Sequence, residues 1–156
     1  MQSQTLSTSG ARLSLKVYGG DASHTSVVIG GAMGVRQDYY AAFAQWLSSQ
    51  GFRVTTFDYR GSGDSLPDTA HGGLRGFKAN LIDWAADYEA VIDDAKAALP
   101  DAPLYLLGHS LGAQLPGLLG NQHKVDGLLS VAAGSGYWRD NAPQLRRLIL
   151  YFWYVL

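Results

Sequence analysis

Residues 11–18 alternate Leu13, Leu15 and Val17 with Arg12, Ser14 and Lys16, a period of two that puts each set on its own face of a half-buried strand. Residues 5–8 precede this strand across Ser9 and Gly10, so the two segments read as an antiparallel hairpin. A short apolar strand at 26–29 runs into Gly30-Gly31-Ala32-Met33-Gly34, a loop whose glycines let backbone approach a ligand closely. The period then changes. Tyr40, Phe43, Ala44 and Leu47 fall at i, i+3, i+4 and i+7, which predicts an amphipathic helix of about three turns stopped at Gly51. Residues 52–57 are rich in β formers and lead to a tight polar loop, 58–65 (DYRGSGDS), while 67–78 has turn composition without periodicity. The longest helical pattern places Leu81, Trp84, Ala85, Tyr88, Val91, Ile92, Ala95 and Leu99 on one face, with Asp87, Asp94 and Lys96 off it. Asn80 is its predicted cap and Pro100 its stop. A strand over 104–107, a helical segment, a further buried strand over 125–133 and an apolar helix starting near Pro143 complete the pattern.

A hairpin, then strand and helix alternating three times, then another strand implies an α/β fold: a mainly parallel sheet with helices on both faces and right-handed crossovers. Loops at the carboxyl ends of parallel strands share one rim, where ligands bind. The glycine loop after Ile29, the loop after Phe57, the turn at Ser110 and residues 134–138 all belong to that rim. Residues 1–156 read as a single domain, with 137–156 as the start of a lid or cap segment.

The most informative stretch is 104–112, LYLLGHSLG, where an apolar strand meets Gly108-His109-Ser110-Leu111-Gly112 and then a helical segment. A serine on a sharp strand-to-helix turn is a G-x-S-x-G nucleophile elbow. Its backbone is strained so that the hydroxyl stands clear, and side chains two residues to either side would collide, which Gly108 and Gly112 avoid. The free N–H groups of the following helix and its dipole face any negative charge developing at the serine. Pro116 falls beyond the first turn of that helix and predicts a kink without loss of the helix.

Composition narrows the function classes. The 156 residues are 47% hydrophobic and 16% charged with a net charge of -1, which describes a globular protein and gives no sign of nucleic acid. There is no cysteine, so disulfides and thiolate chemistry are excluded. The N-terminus, MQSQTLSTSG, has neither a basic nor an apolar region of an export signal, and the cytoplasm is the expected compartment. Residues 148–156 are strongly apolar but too few to span a bilayer at about 20 residues per crossing, so no membrane role is expected. No His and carboxylate cluster has ligand spacing, and residues 30–34 lack the phosphate-loop pattern; neither a metal nor an organic cofactor is implied.

Residues 108–112 and the loop 58–65, similar to a D-x-R-G-x-G-x-S loop, give the chain its resemblance to the α/β-hydrolase family, its esterase-, lipase- and serine-aminopeptidase-like members in particular. The resemblance covers nearly the whole chain. It implies Ser110 as nucleophile toward an ester, thioester or amide carbonyl of a small acyl substrate through an acyl-enzyme. It also implies Ala32 and Leu111 as the two backbone oxyanion donors, by alignment of Gly31 with the glycine of the usual His-Gly-x-x-Gly. Gly30 stands where the family's histidine often stands. Met33, Tyr137 and Trp138 are candidates to line an acyl pocket, whereas Arg60 and Asp64 belong to a turn that shapes the rim.

Family members place the acid and the histidine after the serine, on loops beyond later strands, and this chain stops at Leu156. The expectation is a C-terminally incomplete hydrolase core, inactive by itself because acid and histidine are missing. His123 and Asp126 fall toward the opposite rim, His123 being carried roughly 15 Å away by the intervening helix. His71 and Asp140 lie on the correct rim, His109 lies inside the elbow pointing away from the serine, and His24 is a surface residue before a strand. The alternative is a non-catalytic binding or interaction protein on the same sheet. An open edge at the last strand predicts self-association.

Overall fold

The computed structural model describes residues 1–20, 22–67, 77–135, 137–140 and 142–148. In it the alternating segment forms β2 (Ala11–Tyr18), paired antiparallel with β1 (Gln2–Thr8) from Gln2↔Val17 to Thr8↔Ala11. β3 (Thr25–Gly30), β4 (Phe52–Phe57), β5 (Leu104–His109) and β6 (Gly127–Val131) run parallel to one another, and β2 joins them antiparallel to β4. The strand order is β1-β2-β4-β3-β5-β6. The chain therefore winds outward in two directions from β3, and the carboxyl ends of β3 and β5 lie side by side, with Gly30 paired to Gly108.

Helices cover both faces. α2 (Leu81–Ala98) lays Ala85, Tyr88, Val91, Ile92 and Ala95 against Leu13, Leu15, Val28, Phe57, Leu104 and Leu106, each large apolar side chain contributing about 1.5–3 kcal/mol on burial. Asn80 caps it as expected, accepting from the Ile82 and Asp83 N–H groups, while Asp83 reaches back to the Asn80 N–H to complete a capping box. On the other face, a 3-10 turn (Gln37–Tyr40) and α1 (Ala41–Ser49) bring Tyr40 and Ala44 against Tyr18, Val27, Ile29 and Val54.

Several expectations are corrected. Phe43 belongs to the outer side of α1, 43% exposed and stacked on Trp46 with ring centroids 5.8 Å apart. Leu81 is exposed at the first turn of α2, and Asp87, assigned off the apolar face, is fully buried. The helix after Ser110 is not merely kinked at Pro116: α3 (Leu111–Gln114) lasts one turn and passes into a 3-10 turn, Leu115–Leu118. Pro116 has no N–H for Gly112, and the α pattern ends there. The last strand is not buried. β6 is an edge strand among the described residues, with Leu128, Leu129 and Val131 at 44%, 60% and 43% exposure. Residues 138–140 form a 3-10 turn and 143–148 are helical. The apolar segment 149–156, the end of the expected lid, lies outside the described residues, as does His71. Among the described residues no helix is long and apolar enough to cross a membrane.

Candidate active site

At the carboxyl end of β5 the chain turns at Ser110, whose φ is +52° and ψ −109°. Among the described residues only Ala132 shares a positive φ without being glycine. Such a conformation costs on the order of 1–3 kcal/mol and persists only where the surroundings over-determine it. They do so here. The Ser110 N–H donates to Val131 O at 2.9 Å, tying the elbow to the end of β6, and the Ser110 carbonyl accepts from Ala113 N–H at 3.0 Å. A side chain on Gly108 would strike the Gly112 carbonyl and Ala113, and one on Gly112 would overlap the backbone of Gly30. The two elbow glycines thus answer to different neighbours, Gly108 to the following helix and Gly112 to β3. Since α3 is a single turn, any electrostatic help at the serine comes from its first N–H groups rather than from a long dipole. Leu111 is buried, and its N–H has no protein acceptor among the described residues.

The loop after β3 supplies the facing wall. Ala32, Met33, Gly34 and Val35 form a β-turn closed by Val35 N–H to Ala32 O at 3.1 Å, with Gly34 at φ +73° as the third residue of a type II turn requires. The Gly31 carbonyl accepts from Gly112 N–H at 3.1 Å, which docks this loop on the elbow. The Ala32 N–H, expected to face an oxyanion, is already engaged: it donates to the Tyr40 hydroxyl at 2.9 Å in a buried bond. Tyr40 Oη also lies 3.0 Å from His109 Nδ1, an arrangement that satisfies all three groups when the phenol donates to the imidazole. Burial pushes the Tyr40 phenol above its ordinary value, and the Ala32 N–H only partly offsets this.

Two tyrosines carry roles that the sequence reading did not assign. Tyr40 was a core position of the α1 stripe, and its hydroxyl now links the β3 loop to the residue before the serine. Tyr88, fully buried on α2, fills the space over Gly30: a Cβ there would lie 2.5 Å from the Tyr88 hydroxyl. Gly30 in place of a histidine was the available signal, because a missing side chain at a packed strand end must be replaced by another.

The loop after β4 is structural, as expected. Buried Asp58 accepts from the Gln37 N–H at 2.8 Å, the Gln37 side-chain amide at 3.0 Å and the Asp64 N–H at 3.0 Å. Arg60 turns away from the rim, and its guanidinium meets Asp87 at 2.7 and 2.9 Å while its own N–H donates to the same carboxylate. Asp87 thus anchors this loop beside Asp58, and because Arg60 lies in a loop without periodicity the partnership leaves no pattern in the sequence.

The remaining candidates separate by rim. Met33 projects into solvent beside the β3 loop at 63% exposure, and Tyr137 is half-exposed at 49%. Asp140 accepts from Ser135 Oγ at 2.5 Å, which closes the loop after β6 on itself. Asp126 is at the other end of the sheet, exchanging bonds with Leu104 at the start of β5, and His123 lies in the short turn before it. His24 is exposed just before β3. No histidine hydrogen-bonds Ser110 among the described residues. A cleft of about 500 Å³ opens elsewhere, lined by Ala11, Arg60, Leu66 and Phe77. No group of three or more His, Asp or Glu converges on a metal position among the described residues.

Comparison with known proteins agrees with this fold. The family model for serine aminopeptidase, S33, matches residues 22–155. Lysophosphatidylserine lipase ABHD12 of Gallus gallus is 37% identical over 75 residues, 48% of this chain and 17% of the relative, and that of Mus musculus is 37% identical over 75 residues covering 16% of it. The chain thus matches about a sixth of the length of these curated relatives. Among solved structures, a thioesterase domain from the curacin biosynthetic pathway superposes with a TM-score of 0.69 at 24% identity, covering 99% of this chain and 53% of that one. A thermostable carboxyl esterase from Bacillus coagulans gives 0.74 at 17% identity, with 97% and 51% covered. At these identities the structures speak for the fold.

Proposed function

Because the chain belongs to the serine aminopeptidase S33 family of α/β hydrolases, we propose that it carries the nucleophile and oxyanion half of a serine hydrolase acting through an acyl-enzyme on Ser110. The observation that carries this reading is the elbow: a serine at φ +52° between β5 and α3, beside a Leu111 N–H that has no acceptor among the described residues. Ser110 Oγ attacks the carbonyl carbon, the carbonyl oxygen takes up the negative charge, and the N–H groups of Leu111 and Ala32 are its donors. Met33 and Tyr137 flank the acyl group. Of the three carbonyl classes the ester is favoured, since the relatives by sequence are lipases. A serine hydroxyl needs a base, and a carboxylate to orient it. None of the described histidines is placed to be that base, because His109 Nδ1 faces Tyr40 while His24 and His123 lie at the amino ends of the strands.

The test is a fluorophosphonate probe followed by peptide mass mapping. Label is expected on Ser110, forming far more slowly than on an ordinary esterase and absent from Ser110→Ala. Label on any other residue sinks the assignment. The competing reading is a binding protein on a hydrolase sheet, favoured by the one engaged donor, Ala32; it predicts no covalent label at any exposure time.

A further inference from the structure

The Ala32 amide cannot serve Tyr40 and an acyl oxygen at once. An oxyanion hole needs two donors aimed at one oxygen about 2.7–3.1 Å away. Leu111 N–H is open, whereas Ala32 N–H already ends on a tyrosine oxygen at 2.9 Å. That oxygen is well held: Tyr40 is 7% exposed, its ring packs 3.1 Å from the place a Gly31 side chain would occupy, and it meets His109 edge-on with centroids 6.0 Å apart. On the far side the loop is fixed by the Gly31 carbonyl on Gly112 N–H. The hydroxyl therefore bridges both walls of the hole, the β3 loop through Ala32 and the elbow through His109.

We propose that Tyr40 is a positioning residue that acts as a latch, its hydroxyl oxygen holding the Ala32 N–H in the free protein as a stand-in for the oxyanion, and releasing it when an acyl oxygen arrives. The inference rests on Ser110 as nucleophile and adds the control of its oxyanion hole. The hydrogen bond broken at Tyr40 is replaced by a charge-assisted one to the anion, which is the stronger of the two. The exchange favours the charged tetrahedral state over a neutral ligand, because a neutral carbonyl replaces like with like. Tyr40 keeps its partner at His109 Nδ1 throughout.

The experiment uses phenylboronic acid, with which Ser110 Oγ forms a bond to boron, loses its proton to solvent and yields a tetrahedral anion. Binding to the wild-type chain, Tyr40→Phe and Ser110→Ala is compared with their melting temperatures. The latch predicts opposite signs: Tyr40→Phe melts lower, since the buried Ala32 N–H loses its acceptor, yet binds boronate on the order of threefold to tenfold tighter, the worth of one ordinary hydrogen bond. A merely structural Tyr40 lowers both, and a Tyr40 that donates to the oxyanion weakens the adduct strongly; either result, or unchanged binding, overturns the proposal. Absence of a Ser110 adduct from the wild type would sink the nucleophile assignment itself, and the latch with it. Should Tyr40→Phe not fold, the wild-type chain decides: the latch requires the Ala32 amide proton resonance to move downfield with that of Leu111 on adduct formation. Movement of Leu111 alone contradicts it.

Discussion

Ser110, Gly108, Gly112 and Gly30 form one steric unit, and each is small or strained for the sake of another. A valine at position 112 would drive its side chain into the Gly30 backbone, which cannot give way without disturbing β3. Gly112→Val is expected to cost on the order of 3 kcal/mol or more, against well under 1 kcal/mol for Ser110→Ala, which keeps the same backbone and trims a hydroxyl that has no protein partner among the described residues. Chemical denaturation of the two variants checks this, and equal shifts would contradict the elbow geometry. The serine and its glycines were legible in the sequence because crowding leaves few residue types at those places. Tyr40 and Asp87 were not. Periodicity reports that a position faces the core, and it is silent on where a hydroxyl or carboxylate at that position ends.

At the scale of elements, the loops of the rim are held by buried polar groups rather than by their own turns. Asp87, fully buried, receives both the Arg60 backbone and its guanidinium, joining the loop after β4 to the middle of α2. Asp87→Ala removes the closest partner of the Arg60 charge, which is only 11% exposed, and leaves it Asp83 at 3.6 Å, so it is expected to destabilise the fold by about 3 kcal/mol; a variant as stable as the wild type would refute the anchor. Lys16 on β2 meets Asp38 before α1 in a more exposed pair. The Lys16 hydrogen bond holds Asp38 below its ordinary value of 3.8, and the same bond raises Lys16 above 10.5. A lowered acid stabilises above its unfolded value and a raised base below its own, so the pair's contribution is present from about pH 4 to 10. It falls away as pH drops through the lowered Asp38 value or rises through the raised Lys16 value. Melting of Asp38→Asn against pH is expected to converge on the wild type once pH has fallen through the lowered Asp38 value, and to differ slightly, and salt-sensitively, near neutrality. Element types were mostly readable from period and caps, β4 down to its end residues. Pro116 was read too leniently, because the helix it interrupts has no long apolar face to carry it past the lost bond.

Across the whole molecule, helices cover both faces of the sheet over β3 and β4, while β6 remains thinly covered. Tyr105 on β5 and Leu129 and Val131 on β6 are exposed at 43%, 60% and 43%, and β6 presents an edge among the described residues. An apolar edge strand of this kind pairs with other chains. The 156-residue chain is expected to self-associate with rising concentration in sedimentation velocity, and Leu129→Lys to reduce this; a monomer at every concentration would contradict it. The apolar run at 125–133 read as a buried strand because sequence reports the wish for burial and not whether a neighbour provides it. On the proposed function Ser110 accepts an acyl group slowly without a base beside it, and intact-mass analysis of the chain after long incubation with an activated aryl ester measures this. The predicted result is one acyl group per chain, mapped to Ser110, accumulating slowly and lost in Ser110→Ala. Acylation spread over lysines with Ser110 unmodified would contradict it.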